Sequence, residues 1–479
     1  MEITRGLILK SLFWKYLEKS GVQGVSFIVS IVLARLIAPS EFGLIAIVMI
    51  LIELSNVIVD GGFNSALVQK KEPTNTDFST ILYVSIIVSV VIYAIIYVVS
   101  PYIADFYSET RLSHVLRVLC ILLVVKAFNS VQNAYISKKM LFKKSFICHF
   151  VAVVVSGTTG IVLAYMGYGI WALVCQQIVS QLGVCLAMWF FVRWRPSLLF
   201  SKESLKNLFN FGWKVFVTNA MIAFFVNVRG LLVGKMFGPS DLAFFERGRQ
   251  FPNIIISNLS STIQAILFPV FANKQDDPVA VKSMLRRSIK TSTLFVAPMM
   301  VALIVMTKPI VLLLLTEKWL PAVPFMQIFC IAYLIMPIQT SNMQVITALG
   351  RSDLLLKLET WKKVLEFSIL IASFMFGVLA VAWGTVLYNF ICLFINLYPN
   401  RQLINYGYIK QLKDIAPTLL LSLIMGIIMY GVSIFVHTNL LLLVTQTVAG
   451  VFTYCIMCYL FRIEACKYIL DLLYYAKRN

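Results

Sequence analysis

The hydrophobic residues of this chain lie in long blocks rather than in stripes. Examples are residues 79–100, 147–165 and 440–460. A helix needs about 20 mainly apolar residues to cross the hydrocarbon core of a bilayer, and these blocks have that length. A membrane β-barrel would show segments of roughly ten residues with alternating polarity, and we find none. Because helices and closed barrels are the structures that satisfy backbone polar groups in lipid, the pattern predicts an all-α integral membrane protein.

We expect about 14 transmembrane helices. The predicted spans are 21–37, 42–60, 79–100, 112–131, 147–165, 171–192, 213–237, 242–265, 289–307, 322–341, 362–380, 382–399, 415–436 and 440–460. Residues 1–20 contain lysine and arginine but no small-residue cleavage site after a short apolar core. This segment is therefore predicted to be an amphipathic start of the first helix and not a removed signal peptide.

Lysine and arginine are concentrated in every second loop between the predicted spans. The cation-rich loops contain Lys138, Lys139, Lys143 and Lys144; Arg193, Arg195, Lys202 and Lys206; Lys274, Lys282, Arg286 and Arg287; and Arg351, Lys357, Lys362 and Lys363. The alternate loops, such as 166–170 and 437–439, are short and poor in cations. Since cytoplasmic loops carry the excess of Lys and Arg, both termini are predicted to be cytoplasmic.

Composition agrees with this topology. Charged residues make up 13% of the chain, about half of the roughly 25% of soluble proteins. The net charge of +20 follows from the loop pattern, so we expect contact with anionic membrane lipids and no nucleic-acid partner. Most of the nine cysteines lie in apolar blocks, including the pair Cys455 and Cys458. Apolar packing explains them, and neither a metal site nor a cofactor is expected.

A motif recurs 200 residues apart. Residues 33–43 read LARLIAPSEFG and residues 233–243 read VGKMFGPSDLA, so that Pro39, Ser40 and Glu41 match Pro239, Ser240 and Asp241. In each copy the motif ends one predicted span and opens the next. Proline stops the preceding helix, serine is predicted to cap the following one, and a carboxylate suits a helix N-terminus. The residue types alone fit any good inter-helix turn, but their recurrence at the same place in two six-span halves indicates a repeat.

An even number of spans separates the two copies, so both halves have the same orientation in the membrane. Parallel six-helix lobes with a substrate site at their interface are a known transporter architecture. The predicted organisation is an N-lobe (1–200, spans 1–6), a C-lobe (201–400, spans 7–12) and an additional helix pair (401–479, spans 13–14). The loops leave no room for a soluble catalytic domain, so the sequence favours a transporter over an enzyme.

A few charged residues fall inside the predicted spans, where charge is costly and usually faces a polar interior. Span two contains Glu53, and span four contains Lys126 with Asn129 and Asn133 on the same helix face. Lys126 is a candidate for anion binding, or it reaches toward the membrane surface. Glu53 is a candidate for coupling to an ion or for pairing with a cation such as Lys126. The identity of a coupling ion, H⁺ or Na⁺, stays open.

The second half also contains arginines where the first half is apolar. Arg229, Arg247 and Arg249 align with Val29, Ile47 and Met49. Counting about 1.5 Å per residue from the motif places Arg229 and Arg247 roughly 9–12 Å inside the outer end of their helices. Two guanidinium groups at one level would bind a pyrophosphate bidentately. The alternatives are that Arg249 pairs with Glu246 three residues earlier and that Arg247 extends to the headgroup zone.

Several segments together resemble a known family. They are residues 36–43 (LIAPSEFG), 61–69 (GGFNSALVQ), 167–173 (GYGIWAL), 267–271 (LFPVF), 275–278 (QDDP) and 317–324 (EKWLPAVP). The chain resembles the polysaccharide flippases of the multidrug/oligosaccharidyl-lipid/polysaccharide (MOP) superfamily, of the colanic-acid and teichuronic-acid exporter type. One departure is residues 244–247 (FFER), where that family more often has Tyr-Asn-Arg. Arg247 is retained, but its polar neighbour differs.

The resemblance implies a function. It implies movement of an undecaprenyl-pyrophosphate-linked oligosaccharide from the inner to the outer leaflet of the bacterial cytoplasmic (inner) membrane by alternating access, for O-antigen, capsule or exopolysaccharide biosynthesis. The polysaccharide polymerase machinery is an expected partner. The alternatives are another exporter of the superfamily, for drugs or for lipid II, and a polytopic polysaccharide polymerase. Arg35 lies at the outer end of span one and is the only cation predicted in that span, which gives the lipid II alternative little support. A polymerase typically has a large external loop, which is not predicted here.

Overall fold

The computed structural model describes residues 5–192 and 194–468, and in this part of the chain every regular element is helical. The all-α fold predicted from the hydrophobic blocks is confirmed. The predicted cytoplasmic location of the chain's ends concerns residues that lie largely outside the described part, and it stays a prediction.

The described helices fall into two compact units, Met1–Ala243 and Phe244–Asn479. The first unit contains α1 (Arg5–Leu36), α2 (Pro39–Asp60), α3 (Phe63–Gln69), α4 (Asn75–Tyr107), α5 (Thr110–Leu119), α6 (Ile121–Lys139), α7 (Phe142–Tyr165), α8 (Ile170–Phe191) and α9 (Lys202–Phe237). Helix α9 belongs to this unit because it packs on α2, α3 and α4.

The boundary between the units falls within α10 (Pro239–Ala272). The second unit continues with α11 (Pro278–Leu314), a 3-10 turn (Glu317–Trp319), α12 (Ala322–Tyr333), α13 (Met336–Ala348), α14 (Ser352–Phe374), α15 (Val378–Ile404), α16 (Tyr408–Phe435) and α17 (Asn439–Leu460). This division shows which helices pack together, and it does not show which helices move together during transport. The lobe boundaries at residues 200 and 400 therefore remain a prediction.

Thirteen helices of the described part are long and apolar enough to cross a membrane. They correspond to all the predicted spans except 362–380. In that region the structure has α14 (Ser352–Phe374), which ends before residue 380 and carries two ion pairs. Lys362 contacts Glu359 at 2.5 Å and Lys363 contacts Glu366 at 2.9 Å. The prediction placed this helix too late because its charged first half does not look like a membrane segment.

The recurring motif lies at a helix junction in both halves, as the sequence predicts. Helix α1 ends at Leu36 and α2 begins at Pro39, whereas α9 ends at Phe237 and α10 begins at Pro239. The predicted serine cap is wrong for the first copy. The N-cap is Ala38 without a side-chain hydrogen bond, and Pro39 opens the helix, a position that suits proline because its missing N–H would be unpaired there anyway.

Two corresponding spans of the predicted halves are broken. Predicted span four consists of α5 and α6, which meet at Cys120, and predicted span ten consists of α12 and α13, which meet at residues 334–335. Six spans separate the two breaks, as they separate the two copies of the motif. Interrupted helices at corresponding positions often border transport sites.

The outer surface of both units is apolar. Leu186 on α8, Ile427 on α16 and Val451 on α17 expose 70%, 71% and 61% of their surface. Such exposure is unfavourable in water but suits contact with acyl chains. The chain is therefore a multi-pass membrane protein.

The cation-rich loops of the first unit lie at one end of its helices. Lys138 donates a hydrogen bond to the Val68 carbonyl oxygen at 2.9 Å, and Lys144 donates to the Phe191 carbonyl oxygen at 2.9 Å. These bonds join the end of α6 to the end of α3 and the start of α7 to the end of α8. We call this end of the unit its basic end.

Candidate functional site

The first unit contains a polar cavity of about 490 Å³. Its wall is built from α2, α3, α6, α7, α8 and α9, which contribute Glu53, Asn56, Asp60, Asn64, Lys126, Asn129, Ser130, Asn133, His149, Gln181 and Asn219 among others. Ligand cavities in proteins commonly have volumes of about 300–1,000 Å³. A cavity of this size lined by amides and charges, within helices that are otherwise apolar, is a candidate binding site.

Helix α6 supplies the cavity's cation. Lys126 lines the cavity together with Asn129 and Asn133, so the structure places on one wall the three residues that the helical spacing puts on one face. Lys126 is half-buried and makes no hydrogen bond to another described residue. A lysine in a membrane helix is costly unless it faces a polar space, and this cavity is such a space.

Helix α2 places a carboxylate in the same cavity. Glu53 lines it and interacts electrostatically with Lys126, although the two do not form an ion pair within 4 Å among the described contacts. The structure therefore brings together the two residues that the sequence singled out as charge partners. Whether Glu53 also binds a coupling ion stays a prediction.

A second carboxylate lies where α2 ends. Gly61 and Gly62, with φ of 52° and 72°, turn the chain from α2 into α3, and glycine adopts this left-handed conformation readily. The turn brings Asn64 back to Asp60. Asp60 Oδ1 accepts hydrogen bonds from Asn64 Nδ2 at 2.5 Å and from Ser130 Oγ at 3.2 Å.

Several amide atoms at or near this wall are unused. Asn64 Oδ1 and Asn129 Oδ1 are buried without a hydrogen-bond partner in the described structure, as are both amide atoms of Gln132. Asn129 Nδ2 makes one long bond, 3.4 Å, to the Gln181 carbonyl oxygen. Since buried polar groups without partners are costly, such atoms favour a hydrated site or one filled by a polar ligand.

The arginines of α10 are held within the second unit. Arg247 is 7% exposed, lies over the Trp319 ring with 5.1 Å from Cζ to the ring centroid, and donates to Gln250 Oε1 at 2.8 Å. This burial does not fit extension to the headgroup zone. Arg249 donates to Glu246 Oε2 at 2.6 Å, so the alternative pairing considered for Arg249 is confirmed. Neither observation tests anion binding.

Arg229 is half-buried on α9, in the first unit. It is not part of the cavity wall, to which α9 contributes Asn219. Arg229 and Arg247 belong to different units, so their predicted cooperation in binding a pyrophosphate stays a prediction.

Three buried amides outside this cavity pack between or along helices. Asn342 donates to Gln411 Oε1 at 2.8 Å and accepts from Asn400 at 2.6 Å, and Gln339 donates to the Asn389 carbonyl oxygen at 2.9 Å. These bonds join α13 to α15 and α16, as interhelical amides commonly do in membranes. The third amide, Asn227, donates a hydrogen bond to the Ala223 carbonyl oxygen of its own helix at 3.0 Å.

The sequence missed most of the cavity wall. Asp60, Ser130 and His149 lie at or near the ends of predicted spans, where polar residues are common, and Gln181 and Asn219 are uncharged amides within spans. Asn64 was part of a motif that carries the family resemblance, but it was not assigned to the site. Only the helix packing shows that these residues face one cavity.

A family profile described as polysaccharide biosynthesis protein matches residues 32–324, more than half of the chain. Among characterised relatives, the teichuronic acid biosynthesis protein TuaB of Bacillus subtilis (strain 168) is 23% identical over 383 residues, covering 79% of this chain and 79% of TuaB. The lipopolysaccharide biosynthesis protein WzxC of Escherichia coli (strain K12) is 22% identical over 429 residues, covering 87% of each chain.

Among solved structures, the inward closed conformation of the lipid II flippase MurJ superposes with a TM-score of 0.76 at 13% sequence identity. The match covers 94% of this chain and 99% of the MurJ chain. At this identity the likeness establishes a shared fold over nearly the whole length.

Proposed function

The chain belongs to the polysaccharide biosynthesis protein family, and on that premise we propose that it is a flippase for a lipid-linked oligosaccharide. The substrate is an oligosaccharide on undecaprenyl pyrophosphate. The protein moves it from the inner to the outer leaflet of the bacterial cytoplasmic membrane by alternating access, and it catalyses no covalent reaction. TuaB and WzxC, named for the biosynthesis of two surface polysaccharides, support this substrate class.

The observation that carries the proposal is the polar cavity of the first unit. Sugar hydroxyls and phosphate charges cannot enter hydrocarbon without losing their hydration, which costs several kcal/mol per unpaired polar group. The cavity offers amides, hydroxyls and a lysine at membrane depth. These groups replace water for a glycan headgroup while the polyprenyl tail stays in lipid.

The residue types indicate which side chains would bind the sugars and which would bind the phosphates of the headgroup. Asn56, Asn129, Asn133 and Gln181 can each donate to and accept from sugar hydroxyls. Lys126 supplies a positive charge for phosphate, but the same wall contains two carboxylates, Glu53 and Asp60, so one positive and two negative formal charges give it no net positive charge. The cavity therefore suits the neutral sugars and one phosphate contact. The arginines of α9 and α10 would neutralise the remaining negative charge of the pyrophosphate.

The proposed topology has both termini in the cytoplasm, so that the basic end of the first unit faces the leaflet where the substrate is made. The polysaccharide polymerase machinery would take up the translocated units on the opposite face. The fold likeness to the lipid II flippase MurJ does not select the glycan, whereas the family match favours a surface polysaccharide.

Replacing the lysine of the cavity tests the proposal. In a strain lacking the native gene, Lys126→Gln should reduce surface polysaccharide at least tenfold, because it removes a charged hydrogen bond worth roughly 1.5–3 kcal/mol. Lipid-linked oligosaccharide should accumulate in the membrane. Lys126→Arg, which retains the charge, should restore part of the activity.

Lys139→Gln is the matched control. It removes the same charge from the exposed end of the same helix and should leave polysaccharide at the wild-type level. Glu53→Gln separates the two roles of that residue: a charge partner can be removed with little loss, whereas an ion-coupling residue cannot. Wild-type polysaccharide in the Lys126→Gln strain would refute the assigned site.

A further inference from the structure

The second unit has a small basic pocket of its own. The pocket measures about 210 Å³ and lies between the first half of α11 and residues 464–468, which follow α17. Arg287, Lys290 and Lys467 line it together with one carboxylate, Glu464, and with Thr291 and Tyr468. Three cations at one small pocket suggest a site for an anion.

The charges around the pocket do not cancel. Arg286 donates to Asp414 at 2.9 Å and to Glu464 at 3.0 Å, and Lys290 lies 2.9 Å and 2.6 Å from the same two carboxylates. Arg287 and Lys467 have no carboxylate partner among the described residues. Arg286 and Lys290 thus pair with the two carboxylates. Arg287 and Lys467 leave a net positive charge at the pocket.

Two further features indicate that the pocket binds a ligand. The Arg287 guanidinium lies over the Tyr468 ring, with 4.3 Å from Cζ to the ring centroid, and stacking holds a guanidinium plane in place while its N–H groups remain available. The Thr291 hydroxyl is buried and has no hydrogen-bond partner in the described structure. A phosphate oxygen in the pocket would provide one.

An apolar groove of about 690 Å³ begins beside this pocket. It runs between α11, α16 and α17, and its wall is formed mainly by side chains such as Phe295, Met299 and Met425. Leu294 and Cys466 of the groove follow closely on Thr291 and Ala465 of the pocket. The pocket and the groove therefore form one surface with a charged end and a long apolar part.

We propose that this surface binds an anionic membrane phospholipid, with its phosphate on Arg287, Lys467 and Thr291 and its acyl chains in the groove. Basic pockets between membrane helices bind anionic headgroups in this way. A pocket of about 210 Å³ lies below the size of usual small-molecule sites, so it suits a phosphate group and does not hold an oligosaccharide. The bound lipid is a constituent of the membrane and not the transported substrate, and the proposal does not depend on the flippase function.

Native mass spectrometry of the full-length protein in detergent tests this site. Phosphatidylglycerol and phosphatidylcholine with identical acyl chains are added in turn, and the bound lipids are counted. The wild-type protein should retain phosphatidylglycerol preferentially. Arg287→Gln with Lys467→Gln should weaken that binding roughly 30-fold, the effect of two surface cations. Thr447→Trp, which fills the exposed wall of the groove without changing charge, should weaken it as well.

Lys410→Gln with Lys413→Gln is the matched control. Both lysines are exposed near Asp414 but outside the pocket, and their removal should leave binding unchanged. The single variants and Thr447→Trp decide the matter if the double pocket variant does not fold. Equal binding of both lipids to the wild-type protein would overturn the proposal. So would protection from thermal unfolding by inorganic phosphate equal to that by phosphatidylglycerol, or displacement of phosphatidylglycerol by an equimolar amount of polyprenyl phosphate.

Discussion

Single residues within apolar blocks provided the most useful sequence signal. Lys126 stands out because a charge in a membrane helix is expensive and must face a polar space, and the structure places it in the cavity wall. Gln339 and Asn342 did not carry the same information, because an uncharged amide also stabilises contacts between helices. The composition of a single helix therefore locates charged site residues better than uncharged polar site residues.

Arg229 and Arg247 provide a prediction at the residue scale. Changing both to alanine should abolish surface polysaccharide while the protein still inserts, because each guanidinium would contribute a charged contact to pyrophosphate. Polysaccharide is measured in a strain lacking the native gene, with protein amount and monodispersity measured in parallel. Arg249→Ala is the comparison, and its effect should be smaller because this arginine is already paired with Glu246. Normal complementation by the double variant would remove both residues from the site.

Helix existence was predictable, but helix ends were less so. The block at 213–237 predicts the apolar part of α9, and yet the helix begins at Lys202, because polar turns continue a helix beyond the hydrocarbon. The segment 362–380 was misplaced because ion pairs between neighbouring turns let charged residues occupy α14. Hydropathy measures transfer into lipid, and it does not register charges that are neutralised within a helix.

The turn between α2 and α3 provides a prediction at the element scale. Gly62 has a φ of 72°, and a Cβ atom there would lie 2.1 Å from the Gly212 carbonyl oxygen. Gly62→Ala should destabilise the folded protein by more than the conformational cost of about 1–2 kcal/mol, because α9 must also move away, and a lower thermal unfolding temperature in detergent would report this loss. Gly167→Ala is the matched control, since Gly167 also has a positive φ but open space around it. Equal effects of the two substitutions would show that α9 does not pack on this turn.

Residues 464–468 provide a prediction of pH dependence. The Lys290 ammonium, at 2.6 Å, and then Arg286 hold the pKa of Glu464 below its ordinary value. A carboxyl group with a lowered pKa in the folded state stabilises that state above its unfolded pKa, and this contribution is lost as the pH falls through the folded pKa. The wild-type protein should therefore be slightly more stable than Glu464→Gln at pH 7, by less than about 1 kcal/mol because the side chain is exposed.

Thermal unfolding in detergent at a series of pH values measures this difference. It should shrink as the pH falls below the ordinary range of carboxyl groups. A difference that stays constant down to pH 3 would mean that the ion pairs around Glu464 do not stabilise the folded protein.

At the scale of the whole molecule, the hydrophobic pattern and the recurring motif predicted the class of fold, and the likeness to MurJ over 94% of the chain confirms it. The pattern could not reveal the cavity wall, because its residues come from six helices that are distant in sequence. It also could not identify the glycan. Sugar specificity depends on the positions of individual amides and hydroxyls in space, and many sequences provide such groups.

Leaflet exchange of the substrate in proteoliposomes tests the central proposal most directly. The purified protein is reconstituted with undecaprenyl-pyrophosphate-linked oligosaccharide, and the fraction accessible to an added glycosidase is followed over time. Molecules that start in the inner leaflet should become accessible with the wild-type protein, and much more slowly with Lys126→Gln. An accessible fraction that stays at the level of protein-free vesicles, or that rises equally with both proteins, would contradict translocation through the cavity that contains Lys126.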